Sequence, residues 1–347
     1  MEAVSELLLY CRPGFEPECA SEIAGRAGPA ECGDGYVVAP LRPGSSDDDA
    51  DRAADWRGLV FARQCLPVFA RAAGLPRADR LTPILAAAAA RDERWCDAWV
   101  EAPDSDEGKA LTPFCRSFGN ALIGALRQRK LLAADSERRL HAFFPQGDKV
   151  YLASAPIASS APWPQGIPRL KFPRAAPSRS TLKLEEAFAV LLSGGERERW
   201  LRPGMTAVDL GAAPGGWTWQ LVQRSLRVTA VDNGPMDRAV IESGLVTHLR
   251  EDGFRFRPRK NVDWLVCDMV ERPRRVAELV AGWLGDGWCR RAIFNLKLPM
   301  KKRWEETQLC LQLLRDRLAG ARGPLDVRAK QLYHDREEIT VYASCAR

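Results

Sequence analysis

Residues 208–217 decide the fold of this chain, and they run Val208-Asp209-Leu210-Gly211-Ala212-Ala213-Pro214-Gly215-Gly216-Trp217. Thr206 and Ala207 precede them and extend an apolar and β-branched run that is typical of a short buried strand. The residues after Trp217 predict the first turns of a helix. The glycines and the proline between these two elements require a sharp turn. A strand, a glycine-rich turn and a helix N-terminus direct backbone N–H groups at the polar end of a ligand.

The spacing of these glycines excludes two common phosphate-binding motifs. The dinucleotide motif is Gly-x-Gly-x-x-Gly, whereas the glycines here lie at 211, 215 and 216. No Gly-Lys-Ser or Gly-Lys-Thr follows, so the turn is not a P-loop. An acid shortly before the first glycine, followed by Pro-Gly-Gly, resembles motif I of S-adenosylmethionine-dependent methyltransferases. An ordinary glycine-rich turn between a strand and a helix is the alternative.

Length and composition indicate a chain of about two domains. It has 347 residues, of which 46% are hydrophobic, and it contains no run of 18 apolar residues that would span a membrane. The acidic start lacks the basic residues of a secretion signal. The ten cysteines form no Cys-x-x-Cys pair and only three histidines occur, so we expect no metal site. We expect free thiols in a reducing cytoplasm and a monomer.

Charge is distributed unevenly along the chain. Residues 1–160 carry 19 basic and 23 acidic side chains, whereas residues 161–347 carry 32 basic and 22 acidic ones. The glycine turn therefore lies in the basic half. A positive surface of this kind suits a polyanionic substrate such as RNA, although it is also common on proteins that bind no nucleic acid.

The order of predicted elements divides the chain into four segments. Residues 1–70 form a small α/β unit, 71–156 a docking region, 157–179 a basic linker rich in proline, and 180–347 a domain in which strands and helices alternate. That alternation predicts the α/β class with a mostly parallel, Rossmann-like sheet. Its predicted strands are Thr206–Gly211, Arg227–Asp232, Asp263–Asp268, Arg291–Lys297, Ala329–Tyr333 and Ile339–Ala343.

The segments before the last domain carry two features that could contact RNA. A helix from Phe114 to Lys130 is basic around an apolar stripe, and the linker interleaves aromatic with basic side chains. The alternatives are a solvated basic face for the helix and packing between domains for the linker. The strands predicted in these segments are 6–10, 36–38, 58–62, 95–100 and 149–154.

Acids follow successive strands of the last domain. Asp232 ends the second strand and could accept hydrogen bonds from two ribose hydroxyls, while Asp252, further along, could accept a hydrogen bond from an adenine amino group. Asp268 ends the strand Asp263–Asp268. Because ligands of such sheets lie beyond the carboxyl ends of the strands, these acids indicate a nucleoside pocket beside the glycine turn.

The residues around Asp268 restrict the nucleophile. A base amine is usually held by an Asn/Asp-Pro-Pro-aromatic turn, and methylation at pyrimidine C5 needs a cysteine after Pro or Thr; the chain has neither. A ribose 2′-hydroxyl instead requires a strong base. A lysine serves if a second cation and a dry pocket lower its pKa from roughly 10.4. Lys183 and Lys297 are candidates for such a pair, with Asp268 and Glu338 to orient and balance them.

Lys183, Asp268, Lys297 and Glu338 resemble, in their order and surroundings, the K-D-K-E tetrad of Rossmann-like RNA ribose 2′-O-methyltransferases. More closely, the chain is similar to the bacterial family of 23S ribosomal RNA large subunit methyltransferase M. The similarity runs through residues 114–132, 178–188, 209–222 and 295–301.

The resemblance implies an activity, a cofactor and a partner. The activity would be 2′-O-methylation of one cytidine in domain V of 23S rRNA, before subunit assembly is complete, with S-adenosylmethionine as methyl donor and Lys297 as proton acceptor. The N-terminal part would be a THUMP-containing RNA-docking region. The implied cofactor site consists of Ser180, Gly211, Ala213, Pro214, Gly215, Gly216, Trp217, Asp232, Asp252 and Asp268.

Two other functions stay open. One is methylation of a base atom, another RNA site or a protein. The other is a cofactor-binding RNA chaperone without turnover, which would share the glycine turn but would have no need for two lysines directed at one point.

Overall fold

The computed structural model describes residues 1–321 and 323–345, with the backbone alone at residues 2–4. The chain forms two compact units, Met1–Ile167 and Pro168–Arg347, so the division falls inside the expected linker. Within the described residues, each unit contains one seven-stranded sheet. No helix in this part of the chain is both long and apolar enough to cross a membrane.

The first unit is built on a mostly antiparallel sheet in the order β2-β3-β1-β4-β7-β6-β5, with β5 and β6 parallel. Its strands are β1 (Glu2–Tyr10), β2 (Glu31–Gly33), β3 (Tyr36–Pro40), β4 (Gln64–Ala72), β5 (Asp97–Glu101), β6 (Arg138–Gln146) and β7 (Lys149–Pro156). Its α-helices are α1 (Glu16–Ile23), α2 (Asp47–Ala53), α3 (Leu81–Ala89), α4 (Asp106–Ala110) and α5 (Thr112–Gln128), and 3-10 turns occupy Trp56–Gly58 and Pro164–Gly166.

Several elements of the first unit differ from the prediction. The strand expected at 58–62 is wrong, because Val60 and Phe61 donate their backbone N–H groups to the Glu22 carboxylate and not to a neighbouring strand. The strand begins at Gln64 instead, and β4 pairs with both β1 and β7 across the expected domain boundary at residue 70. The domain limits at 70 and 156 and the THUMP assignment stay predictions. The sequence pattern also missed β6, which forms a hairpin with β7.

The second unit has the mostly parallel, Rossmann-like sheet that the alternation of elements predicted, in the order β10-β9-β8-β11-β12-β14-β13. Its strands are β8 (Thr206–Leu210), β9 (Arg227–Val231), β10 (Val246–Leu249), β11 (Val262–Cys267), β12 (Cys289–Lys297), β13 (Leu325–Lys330) and β14 (Glu338–Cys345). Its helices are α6 (Thr181–Leu191), α7 (Gly194–Trp200), α8 (Gly216–Val222), α9 (Arg238–Ile241), α10 (Pro273–Gly285) and α11 (Arg303–Leu318).

Strand order in this sheet reverses between β8 and β11. From β8 the chain proceeds outward to β9 and β10, whereas β12 follows β11 on the opposite side. Such a switch point opens a crevice beyond the carboxyl ends of the strands. The glycine turn follows β8 directly and therefore lies at the crevice.

The last two strands are antiparallel to their neighbours, and β14 lies between β12 and β13. The strand predicted at 329–333 is shifted, since β13 ends at Lys330. Leu332 lies beyond it in a loop, where its N–H donates to the Asp335 carboxylate at 3.0 Å.

The core beneath α6 includes Phe188, which meets the fully buried Trp264 edge to face at 6.1 Å. Burial of a large side chain stabilises the fold by about 1.5–3 kcal/mol, and here it holds α6 against the sheet.

Candidate active site

The glycine turn needs glycine at two positions for different reasons. Gly211 has φ +79°, and a Cβ there would lie 2.7 Å from the Met269 Cγ atom, closer than real Cβ contacts. Gly215 has φ +116° and precedes α8. A left-handed backbone that few other residues adopt is thus followed at once by the N–H groups of a helix start.

Asp232 joins the glycine turn to the end of β9. Its carboxylate accepts hydrogen bonds from the backbone N–H of Ala213 at 3.0 Å and of Gly234 at 2.7 Å. Each carboxylate oxygen has a further lone pair. The residue therefore holds the turn in place and can still accept hydroxyl groups from a ligand.

The start of α6 lies against the start of α8. A Cβ on Gly216 would collide with the hydroxyls of Ser178 and Ser180, which are 2.8 Å apart from each other. Ser180 therefore lies against the glycine turn, and its contact with a cofactor stays a prediction. The side chain of Trp217, in contrast, is buried in the core, which leaves its backbone to face a ligand.

Asp252 is half-exposed and closes a local turn by accepting the N–H of Phe254 at 2.9 Å. The next residue, Gly253, approaches both Leu210 and the Met269 thioether. The segment that carries Asp252 therefore lies at the same edge of the sheet as the glycine turn. The sequence pattern missed Met269, which packs against both segments.

Four elements bring the predicted catalytic residues together. Lys183 is in the first turn of α6, Asp268 follows β11, Lys297 ends β12 and Glu338 begins β14. In each case the residue lies within a turn of the end of its element, which is why elements distant in the chain can meet there.

The two lysines and two carboxylates alternate around a closed ring. Lys297 Nζ lies 2.6 Å from Asp268 Oδ1 and also contacts Glu338 Oε2. Lys183 Nζ lies 3.5 Å from Asp268 Oδ2 and contacts Glu338 Oε1. Glu338 is 5% exposed, whereas Lys297 is 25% exposed. The charged ring is therefore buried at Glu338 and partly exposed to solvent at Lys297.

Strand register pairs two residues behind the ring in the same way. Lys297 is opposite Glu338 in the β12–β14 pair, and Asn295 is opposite Thr340. Asn295 Nδ2 donates to Asp268 Oδ1 at 2.9 Å, and the Thr340 hydroxyl lies 2.8 Å from Asn295 Oδ1. Both positions were missed, although Asn295 precedes Lys297 by two residues and residues two apart share one face of a strand.

The pKa of Lys297 is raised, whereas the sequence predicted that it would be lowered. Burial lowers it, but the charges and hydrogen bonds of Asp268 and Glu338 outweigh that effect, so the pKa lies above its usual 10.5. We expected Lys183 to lower this pKa. Both carboxylates contact both lysines, which explains why the attraction exceeds the repulsion between the two ammonium groups.

Asp209 is a further buried acid behind the glycine turn. Thr218 donates to its Oδ2 at 2.6 Å, while Oδ1 is buried without a hydrogen-bond partner in the described part of the chain. Burial raises the pKa of this carboxyl group to about 7.

Two exposed apolar side chains follow ring residues closely in the chain. Val270 is 90% exposed and follows Asp268 by two residues, and Met300 is 81% exposed and follows Lys297 by three. The exposed cations Arg272 and Lys301 lie beside them in the chain. Within residues 1–321 and 323–345, no cluster of His, Cys, Asp or Glu side chains could hold a metal ion.

Three family models match the chain. They are described as "RlmM ferredoxin-like domain" (residues 4–66), "Ribosomal RNA large subunit methyltransferase M, N-terminal" (79–155) and "FtsJ-like methyltransferase" (176–281). Ribosomal RNA large subunit methyltransferase M of Xanthomonas oryzae pv. oryzae (strain PXO99A) is 55% identical to this chain. The alignment covers 98% of this chain and 99% of that protein. The chain belongs to this methyltransferase family. The resemblance stated from the sequence is thereby confirmed, as is its prediction of an RNA methyltransferase.

Other relatives agree with this assignment. The protein of the same name from Xanthomonas campestris pv. campestris (strain B100) is 54% identical over 98% of this chain. Among solved structures, TrmN from Thermus thermophilus aligns over 99% of this chain and 100% of its own, with 17% identity and a TM-score of 0.35. A similarity this low carries no argument about function. The family is therefore established by the sequence relatives alone.

Proposed function

We propose that this chain uses S-adenosylmethionine to methylate the 2′-hydroxyl of a ribose in ribosomal RNA. The observation that carries the proposal is the closed ring of Lys183, Asp268, Lys297 and Glu338 beside the glycine turn. A hydroxyl nucleophile must lose a proton, and an open-sided lysine held by two carboxylates is placed to accept it.

The crevice fits this cofactor in several respects. Asp232 and the backbone N–H groups at the start of α8, around Gly216, offer polar partners for its ribose and amino-acid ends, and the Asp252 turn lies at the same edge for adenine. Met269 gives the crevice an apolar wall. When bound, the cofactor supplies a methyl group on a positively charged sulfur.

Lys297 is the residue that takes the proton from the 2′-hydroxyl. In the free chain the pKa of Lys297 is raised, so the lysine is protonated there. We propose that the neutral amine forms once the substrate covers the ring. Bound substrate would exclude water from the exposed side of Lys297, and the positive charge on the cofactor sulfur would disfavour a second positive charge nearby. Both effects would lower the pKa of Lys297. Asp268 and Glu338 orient the ammonium group, and Lys183 balances their charge. The 2′-oxygen would then take the methyl group as the carbon–sulfur bond of the cofactor breaks, which leaves the cofactor as a neutral thioether.

The substrate is proposed to be 23S rRNA, at a cytidine of domain V, in the cytoplasm and before subunit assembly is complete. The names of the relatives support a ribosomal RNA of the large subunit. In the first unit, α5 exposes Arg116 and Arg127, which suit contact with phosphates. The finer target rests on the family resemblance.

The test is a transfer assay with a labelled methyl group on 23S rRNA that lacks this modification, followed by digestion to nucleosides. We expect label in 2′-O-methylcytidine. Label in a methylated base, or in protein alone, would replace the proposal with the corresponding activity. Tight RNA and cofactor binding without transfer to RNA in any assembly state would favour a chaperone.

A further inference from the structure

A chain of buried polar groups extends from the charged ring into the core. Asn295 Nδ2 donates to Asp268 Oδ1 at 2.9 Å, and Asn295 Oδ1 lies 2.8 Å from the Thr340 hydroxyl. The same hydroxyl lies 3.2 Å and 3.0 Å from the two carboxyl oxygens of Asp335. Asn295 and Thr340 are fully buried and Asp335 is 1% exposed.

The number of available hydrogens determines the direction of each bond in this chain. Both carboxylate oxygens of Asp268 accept from lysine ammonium groups, so the Asn295 group that faces it must be the NH2 group. The Asn295 oxygen then faces the Thr340 oxygen. The hydrogen of the Thr340 hydroxyl is the only one available for the hydrogen bond between them. A hydroxyl has one hydrogen, so Thr340 has none left for Asp335. The hydrogen between Thr340 and Asp335 must therefore come from Asp335.

We propose that Asp335 is a positioning residue that carries a proton, and that it fixes the orientation of Asp268 through Thr340 and Asn295. This inference rests on the proposed function only for its effect on catalysis, since the hydrogen count is independent of the reaction. A neutral Asp335 also leaves the ring with two positive and two negative charges. An ionised Asp335 would compete for the Thr340 hydrogen and add a negative charge close to Glu338.

The surroundings of Asp335 favour the neutral form. Burial raises the pKa of its carboxyl group well above the usual value, and the charges of Glu338 on β14 and Glu186 on α6 raise it further. The N–H of Leu332 and the charge of Lys183 act in the opposite direction but are outweighed. Glu186 is itself held in place, because it accepts the N–H groups of Tyr333 and His334 at 2.7 Å and 2.9 Å.

Infrared difference spectroscopy tests the proton directly, without any assay of activity. The spectrum of the wild-type chain minus that of Asp335→Asn at neutral pH should contain the carbonyl band of a protonated carboxylic acid. Asp209, whose pKa is also raised, cancels because it is present in both chains. A difference spectrum that shows only carboxylate bands would overturn the proposal, whatever the enzyme does.

Kinetics test the positioning role. Asn at 335 can donate to Thr340 and accept from Leu332 as a neutral Asp does, so Asp335→Asn should retain most of kcat. Asp335→Ala and Thr340→Val should lower kcat about 10- to 100-fold, the effect of one lost buried hydrogen bond, with KM for the cofactor almost unchanged. Thr340→Ser keeps the hydroxyl and should restore the rate. Equal losses in Asp335→Asn and Asp335→Ala, in folded protein, would show that an ionised carboxylate is required and would contradict the inference.

Discussion

Lys297 and Glu338 are 41 residues apart in the chain yet face each other as register partners at one end of the β12–β14 pair. β14 lies between β12 and β13 and is antiparallel to both, so its first residue meets the last residue of β12. The deeply buried Glu338 thereby fixes the ammonium group of Lys297 at the open side of the ring, next to Asp268.

Removal of the Lys297 ammonium group should abolish most of the methyl transfer. Lys297→Met should lower kcat by about 10²–10⁴, the usual contribution of a general base, while cofactor affinity changes little. Single-turnover transfer and calorimetric cofactor binding measure the two effects separately. Because the Lys297 pKa is raised, the wild-type rate should also increase with pH until the lysine is deprotonated.

Lys297→Arg distinguishes a base from a fixed positive charge. Arginine keeps the charge and can bond both carboxylates, but it does not lose its proton in proteins. We expect it to be as inactive as Lys297→Met. Near-normal turnover in Lys297→Arg would remove this residue from the role of base.

Gly216→Ala should damage the cofactor site without unfolding the domain. The added methyl group collides with the hydroxyls of Ser178 and Ser180 and displaces the segment that leads into α6. We expect at least about tenfold weaker cofactor binding, which corresponds to about 1.4 kcal/mol. Gly282→Ala is the matched control, since Gly282 is also helical and a Cβ there meets nothing within 4 Å. Equal affinities in the two variants would argue against close contact at Gly216.

Asp209→Asn should alter how stability depends on pH. The Asp209 pKa is about 7 in the folded chain and 3.8 ordinarily, so between these values the unfolded chain releases the proton and the folded chain retains it. The free energy of unfolding therefore falls as pH rises through this interval and levels off above about pH 7, by at most about 4 kcal/mol. The advantage of the variant over the wild type should be larger at about pH 8 than at about pH 5, as measured by chemical denaturation. A difference that is constant with pH would mean that Asp209 stays ionised in the folded state.

Val270 and Met300 should contribute to RNA affinity. They are exposed apolar side chains within three residues of Asp268 and Lys297 in the chain, with exposed cations one or two residues away, and unstacked bases of a single strand could pack against them. Met300→Gln keeps the side-chain length, and we expect RNA affinity to fall about fivefold, or about 1 kcal/mol, with cofactor affinity unchanged. Leu309→Gln on α11, also an exposed apolar residue, is the control and should bind RNA normally. Identical behaviour of the two variants would exclude a specific contact at Met300.

Local chemistry made much of the fold predictable. The turn at Gly211 and Gly215 follows from glycine alone, and alternating strands and helices imply a parallel sheet whose carboxyl ends share an edge. Asp232, Asp268 and Lys297 could therefore be placed together without coordinates. Strand limits were less predictable in the first unit, since the Glu22 carboxylate withdraws Val60 and Phe61 from the sheet through a contact between residues distant in sequence.

The glycine turn, the edge at which the site lies and the residue types that carry the chemistry could be read from the sequence, because they depend on backbone geometry and strand periodicity. The pairing of Lys297 with Glu338 and of Asn295 with Thr340 required the folded structure, because both pairs depend on where β14 enters the sheet. The folded structure also determines the direction in which the pKa of Lys297 shifts, which is upward. That direction depends on how many opposite charges lie within contact distance, which the order of residues along the chain does not specify.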